Sequence, residues 1–182
     1  MAERIAEIVI LSEDFNQTNL VRRSLKHKGR NPRTIRVNQA PSGRGSGEQY
    51  VRESFSAEVA HYRNRAARRS AALVVAIDAD TKTVQQRERE LEAALRAAGQ
   101  EKPKPTEAIS ILIPKRHIET WILCLSGERV DELTDYSNRE DVEAKIKAAA
   151  ENLCGWARPR FPIPDRCVPS LKKGLREFQR LR

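Results

Sequence analysis

Apolar residues in this chain come in short blocks separated by polar stretches of helical length. Ile5, Ile8, Val9, Ile10 and Leu11 form the first block, which stops at Ser12, Glu13 and Asp14 and predicts a strand over 5–11. Over 17–27, Leu20, Val21, Ser24 and Leu25 share one helical face, and Gly29 closes that helix. A short strand is expected over 34–37, after Pro32, and then a Pro-, Ser- and Gly-containing loop over 39–47. Val51, Phe55, Val59 and Tyr62 recur at helical spacing and predict a long helix over 48–65. The densest apolar run follows at 71–77, with a buried strand over 73–77. Residues 84–98 read as a helix with Val84, Leu91, Leu95 and Ala98 inward and Gly99 as its C-cap. A strand over 109–113 ends at Pro114. The stretch 116–125 is apolar almost all round and predicts a buried helix. Residues 138–153 are amphipathic but polar, 157–169 hold four prolines and cannot be regular, and 171–181 close the chain as a helix with Leu171, Leu175 and Phe178 inward.

Strands and helices therefore alternate four times before two further helices. That order predicts an α/β fold: a mainly parallel, four-stranded, Rossmann-like sheet with helices on both faces, plus C-terminal helices. With 182 residues the chain is expected to be one domain, an α/β core over 1–126 with a helical extension over 127–182 packed on it.

Charge sharpens this picture. Charged residues make up 32% of the chain and the net charge is +9, which favours a polyanionic partner; a generally basic, soluble surface is the plainer alternative. Cys124, Cys154 and Cys167 are an odd number without paired spacing, which argues against a disulfide framework or structural zinc. Met1-Ala2-Glu3-Arg4 lacks the apolar core of a signal peptide, and no segment has the length of a membrane span, so a cytoplasmic protein without membrane contact is expected.

The densest apolar run ends in Asp78-Ala79-Asp80. Residues two apart on a strand point the same way, so both carboxylates are expected to leave the sheet edge together. Like charges side by side call for a cation, and hard oxygen ligands suit Mg²⁺ or Mn²⁺. The alternative has Asp78 opening a turn and Asp80 or Thr81 capping the next helix. Glu13 follows the first strand and, in a parallel sheet, would lie on the same rim.

A Glu after the first strand (Ile10-Leu11-Ser12-Glu13) and an Asp-x-Asp after a later apolar strand (Val75-Ala76-Ile77-Asp78-Ala79-Asp80) resemble the TOPRIM fold of topoisomerases, bacterial primases and OLD-family nucleases. The glycine-rich entry to a helix, Gly43-Arg44-Gly45-Ser46-Gly47, and the run Ile113-Pro114-Lys115-Arg116-His117-Ile118-Glu119-Thr120-Trp121 are similar to small stand-alone bacterial TOPRIM proteins, including the RloB-like ones. Asp14 departs from the pattern, since the family often has Gly after the glutamate; Asp14 is either an added ligand or a sign that the site has drifted. The resemblance implies Glu13 as metal ligand or general base and Asp78 and Asp80 as Mg²⁺ ligands. Glu119 would either join the metal or pair with Arg116 or Lys115.

Lys115 and Arg116 would neutralise charge on a phosphate in the transition state. The loop carrying Arg44 would cradle an anion with backbone N–H groups, or be a solvent loop. Arg63, Arg65, Arg68 and Arg69, with Lys26, Lys28, Arg30 and Arg33, are the densest basic groups; they would contact a nucleic-acid backbone, or simply sit at helix C-termini. His117 is a candidate for proton transfer, and Trp156 and Phe161 would stack on bases or pack their loop.

Two functions follow. The first is a metal-dependent TOPRIM nuclease, with Glu13, Asp78, Asp80 and Lys115 catalytic, serving bacterial or phage defence or DNA metabolism beside a separately encoded ABC- or AAA-type ATPase, and self-associating. The second is a non-catalytic module on the same fold that binds nucleic acid or the ATPase. A topoisomerase is disfavoured because Tyr50, Tyr62 and Tyr136 lack the required context, and a primase because no zinc module is present.

Overall fold

The computed structural model describes residues 5–181; Met1 to Arg4, read above for a leader, and Arg182 lie outside the described residues. Among the described residues the chain forms β1 (Glu7–Ser12), α1 (Phe15–His27), β2 (Ile35–Gln39), α2 (Gly47–Ala66), β3 (Ala71–Ala76), α3 (Val84–Ala97), β4 (Ile109–Leu112), α4 (Ile118–Leu125), α5 (Val142–Trp156) and α6 (Pro169–Gln179). The strands make one sheet in the order β2-β1-β3-β4, with every pair parallel. This is the expected α/β class with helices on both faces.

Alternation along each strand divides the core into two layers. Ile8, Ile10, Ala72, Val74 and Ala76 face the layer built with α1, α4, α5 and α6, while Val9, Leu11, Leu73 and Val75 face α2 and α3. Strands buried on both faces explain the near-continuous apolar runs that announce them. All eight residues of α4 are buried, as its all-round apolar character requires. Residues of α5 and α6 belong to the same core layer as α1 and β1.

Helix ends are set by local chemistry. The Asp14 side chain caps α1, accepting from the Gln17 N–H at 2.9 Å. Asp14 has φ −147°, an ordinary extended conformation, so a glycine is not required there. Ser46 caps α2, accepting from the Gln49 N–H. Thr83 and Gln86 form a capping box on α3, which corrects the alternative expectation that Asp80 or Thr81 caps this helix. Ala98, expected inward, lies past the helix end and is exposed. At the far end of the sheet, α6 covers the open edge of β4, where Glu177 accepts from the Ile111 N–H at 3.1 Å. A Cβ on Gly174 of α6 would collide with the Trp121 ring, and Trp121 Nε1 donates to Ser170 Oγ at 2.8 Å, so α6 docks closely on α4. No helix among the described residues is long and apolar enough to cross a membrane.

Candidate functional site

From β1 the chain crosses to β2 on one side, then returns to β3 on the other. The crevice between β1 and β3 is therefore the switch point where open α/β sheets place their ligands, outside the carboxyl ends of the strands. Glu13 leaves β1 and Asp78 leaves β3 at that point. A Glu13 carboxylate oxygen accepts from the Asp78 backbone N–H. Gln17, fully buried one helical turn into α1, joins the two: its Oε1 accepts from the Glu13 N–H at 2.9 Å, and its Nε2 donates to Asp78 Oδ1 at 3.0 Å. His117 Nδ1 lies 3.4 Å from Asp78 Oδ2, and its Nε2 lies 3.6 Å from Asp135 Oδ1. From α3, Arg87, only 1% exposed, donates through Nε to the Asp78 carbonyl at 3.0 Å and through Nη1 to Glu48 and Glu90.

The electrostatics are lopsided. Burial, then the negative charge of Asp78, push the Glu13 carboxyl from its ordinary 4.5 up to about 8. Burial pushes Asp78 up to about 6 despite the opposing hydrogen bond with His117. Burial also raises Asp14 and Glu119. His117 is raised by its hydrogen bond to Asp78. Four carboxyls with raised proton affinity gather here, and three of them, Asp14, Asp78 and Glu119, lie within electrostatic reach of the His117 imidazole.

The structure revises three expectations here. Asp78 and Asp80 do not leave a strand together: β3 stops at Ala76, and Asp80 takes a left-handed φ of +53°, donating its N–H to the Arg116 carbonyl at 3.0 Å. Asp78 consequently points inward, while the Asp80 side chain is 54% exposed and stands 4.0 Å from His117 Nε2. Glu119 pairs with neither Arg116 nor Lys115; it accepts from Asn16 Nδ2 at 2.8 Å. Lys115 does not face the carboxylates: its Nζ donates to the Lys82 carbonyl at 2.6 Å and staples the turn after Asp80. Among the described residues no three His, Cys, Asp or Glu side chains form a ready-made metal-ligating group.

Other expected residues divide between the two ends of the sheet. Arg116, at φ +73°, lies beside the crevice with Nη2 3.8 Å from Asp135. Arg44 is exposed on the loop that enters α2. That loop borders the site through Gly47, where a Cβ would come within 2.9 Å of the Glu13 Cβ and carbonyl oxygen, so only glycine lets α2 begin so close to Glu13. Arg65, Arg68 and Arg69 lie at the opposite end, where α2 returns to the start of β3. Sequence reasoning did not single out Asn16, Gln17, Arg87 or Asp135. Gln17 and Arg87 carried a signal, a polar residue on an inward helical stripe, four positions before Val21 and Leu91.

Compared with known proteins, the chain matches no family model, and no curated protein and no solved structure shows significant similarity to it.

Proposed function

We propose that this protein is a metal-dependent phosphodiesterase of TOPRIM type that cleaves nucleic acid at the β1/β3 crevice. The observation that carries this reading is the pairing of Glu13 with Asp78 at the switch point, two adjacent, desolvated carboxyls whose protons are held above the usual range. Such a donor set fits a hard divalent cation, Mg²⁺ or Mn²⁺, held by Glu13 and Asp78, with Asp80 and Glu119 next nearest on the rim. When bound, the cation supplies charge stabilisation and a more acidic water. Glu13, once its proton is displaced, would take the proton of the attacking water. Asp78 holds the His117 ring, which would return a proton to the leaving oxygen. Gln17 fixes the Asp78 carboxylate, Arg87 holds the Asp78 backbone carbonyl, and Arg44 and Arg116 would flank the path of the phosphate. A cytoplasmic setting, a role in phage defence or DNA metabolism, self-association and a separate ATPase partner belong to the same reading.

A second reading, a non-catalytic nucleic-acid- or ATPase-binding module, is favoured by the outward turn of Asp80 and the engagement of Glu119 by Asn16. Incubation with DNA and RNA in Mg²⁺, Mn²⁺ or EDTA separates them. Cleavage that needs metal and disappears in Asp78→Asn supports the enzyme; metal binding without cleavage, in the presence of any co-encoded ATPase, supports the module.

A further inference from the structure

We propose that Arg36, Arg65 and Arg69, gathered on Glu7, form a phosphate-binding site for a nucleic-acid backbone at the end of the sheet opposite Glu13. Glu7 opens β1, and its side chain is only 6% exposed. Arg36 Nε lies 3.2 Å and Arg65 Nε 3.8 Å from Glu7 Oε1, and Arg69 Nη2 bonds Oε2. The three guanidiniums come from three segments: β2, the last turn of α2, and the connection from α2 to β3. One buried carboxylate thus holds three cations in register.

That ratio exceeds what Glu7 needs. One guanidinium already balances the charge of a carboxylate, and each additional one is repelled by its neighbours. Arg65 also complements the C-terminal end of α2, but this does not account for Arg36 on a strand or for Arg69 beyond the helix. Arg36 and Arg69 keep 75% and 53% of their side chains exposed, so two positive charges are presented outward from a fixed base. Exposed Arg33 and Arg68 adjoin them in sequence. Guanidinium forks match phosphate oxygens in geometry, and an anion seated between them relieves their repulsion.

A repeating phosphate backbone fits this cluster better than a membrane. Among the described residues, Val37 is the one large apolar side chain exposed on these segments; Phe15, Leu133, Phe161 and Ile163 lie elsewhere. A surface-binding anchor needs an apolar face beside its basic one. Six steps of extended chain lead from Glu7 to Glu13, about 20 Å at roughly 3.3 Å per residue. The cluster is therefore separate from the carboxylate crevice and binds whether or not that crevice cleaves.

The test is fluorescence anisotropy of the full chain in EDTA with a fluorescein-labelled DNA duplex and a labelled single-stranded RNA of equal length, across a series of salt concentrations. Arg36→Gln/Arg69→Gln is expected to weaken binding irrespective of sequence and to lower the slope of log affinity against log salt by about 2. Arg36→Gln alone, at the most exposed position, should lower it by about 1 and leaves the fold least disturbed. Arg36→Lys/Arg69→Lys should keep the slope. Arg22→Gln/Arg23→Gln on α1 removes the same charge elsewhere and should leave the slope unchanged. An unchanged slope in both Gln variants, or an equal fall in the α1 variant, would overturn the proposal. So would binding to phosphatidylserine vesicles without binding to either nucleic acid.

Discussion

The two ends of β1 each bury a carboxylate, with opposite company. Glu7, at the start of the strand, is met by three guanidiniums. Glu13, just past its end, is met by the Asp78 backbone N–H and by further acids, Asp78 and Asp14. Topology explains the difference. In a parallel sheet each covering helix runs back to the starting edge, so helix C-termini and the basic residues that suit them collect at the Glu7 end. Helix N-termini collect at the Glu13 end, where Asp14 caps α1. One end gathers guanidiniums around a single carboxylate, and the other gathers buried carboxyls whose proton affinity is raised.

The largest effect expected from breaking the acidic end is on catalysis. Asp78→Asn should lower metal-dependent cleavage by about 10²-fold to 10⁴-fold in a gel-based nuclease assay while the far-ultraviolet dichroism stays native. An active Asp78→Asn enzyme would remove this crevice from consideration.

Crowding the same end is expected to cost stability next. Gly47→Ala forces a methyl against the Glu13 backbone and should destabilise the fold by about 1–3 kcal/mol in chemical denaturation, with cleavage also reduced. A wild-type denaturation curve would show that α2 can withdraw from Glu13 at little cost.

Titration sharpens the contrast further. Folded Glu13 holds its proton up to about pH 8, while the unfolded chain releases it near 4.5, so the folded state binds more protons between those values. Stability must therefore fall as pH rises through that window, by something on the order of 5 kcal/mol. Asp78, raised to about 6, steepens the lower part of the fall, and His117, whose raised proton affinity is also lost on unfolding, contributes in the same direction. Between pH 6 and 8 the decline should become shallower in Glu13→Gln. If the proposed cation binds at Glu13 it must displace that proton, so the stabilising effect of Mn²⁺ in thermal melts should grow with pH. A decline identical in wild type and variant would show that Glu13 titrates normally.

The smallest effect belongs to the basic end. Glu7→Gln leaves Arg36, Arg65 and Arg69 without their common anion, and these side chains are partly solvated, so a loss of about 1 kcal/mol is expected. Added inorganic phosphate should recover it. A loss that phosphate does not change would mean that Glu7 serves packing alone.

Much of this arrangement was legible in the chain. Runs such as Leu73-Val74-Val75-Ala76-Ile77 announce strands buried on both faces, and the alternation with amphipathic helices gives the parallel topology that brings Glu13 to Asp78. Misreadings arose where backbone geometry overrides spacing. Asp78 and Asp80 are two apart, but β3 ends before them, and with the left-handed turn at Asp80 one carboxylate is buried while the other is exposed, on either side of the His117 ring. The cap of α3 went to Thr83, whose Thr-x-x-Gln spacing was visible, because a bidentate hydrogen-bond exchange outweighs an isolated acid. Glu7 was hidden inside an apolar block, and its three arginines are far apart in sequence. Asp135 approaches His117 from an irregular stretch between α4 and α5 that has no periodicity to read.

The central claim is that Glu13 and Asp78 together hold a divalent cation. Titration of Mn²⁺ into wild type and into Glu13→Gln/Asp78→Asn, followed by electron paramagnetic resonance of the free ion, tests it directly. Binding by wild type that rises with pH and is lost in the double variant is the predicted result. Absence of binding by wild type, or equal binding by both proteins, would contradict it.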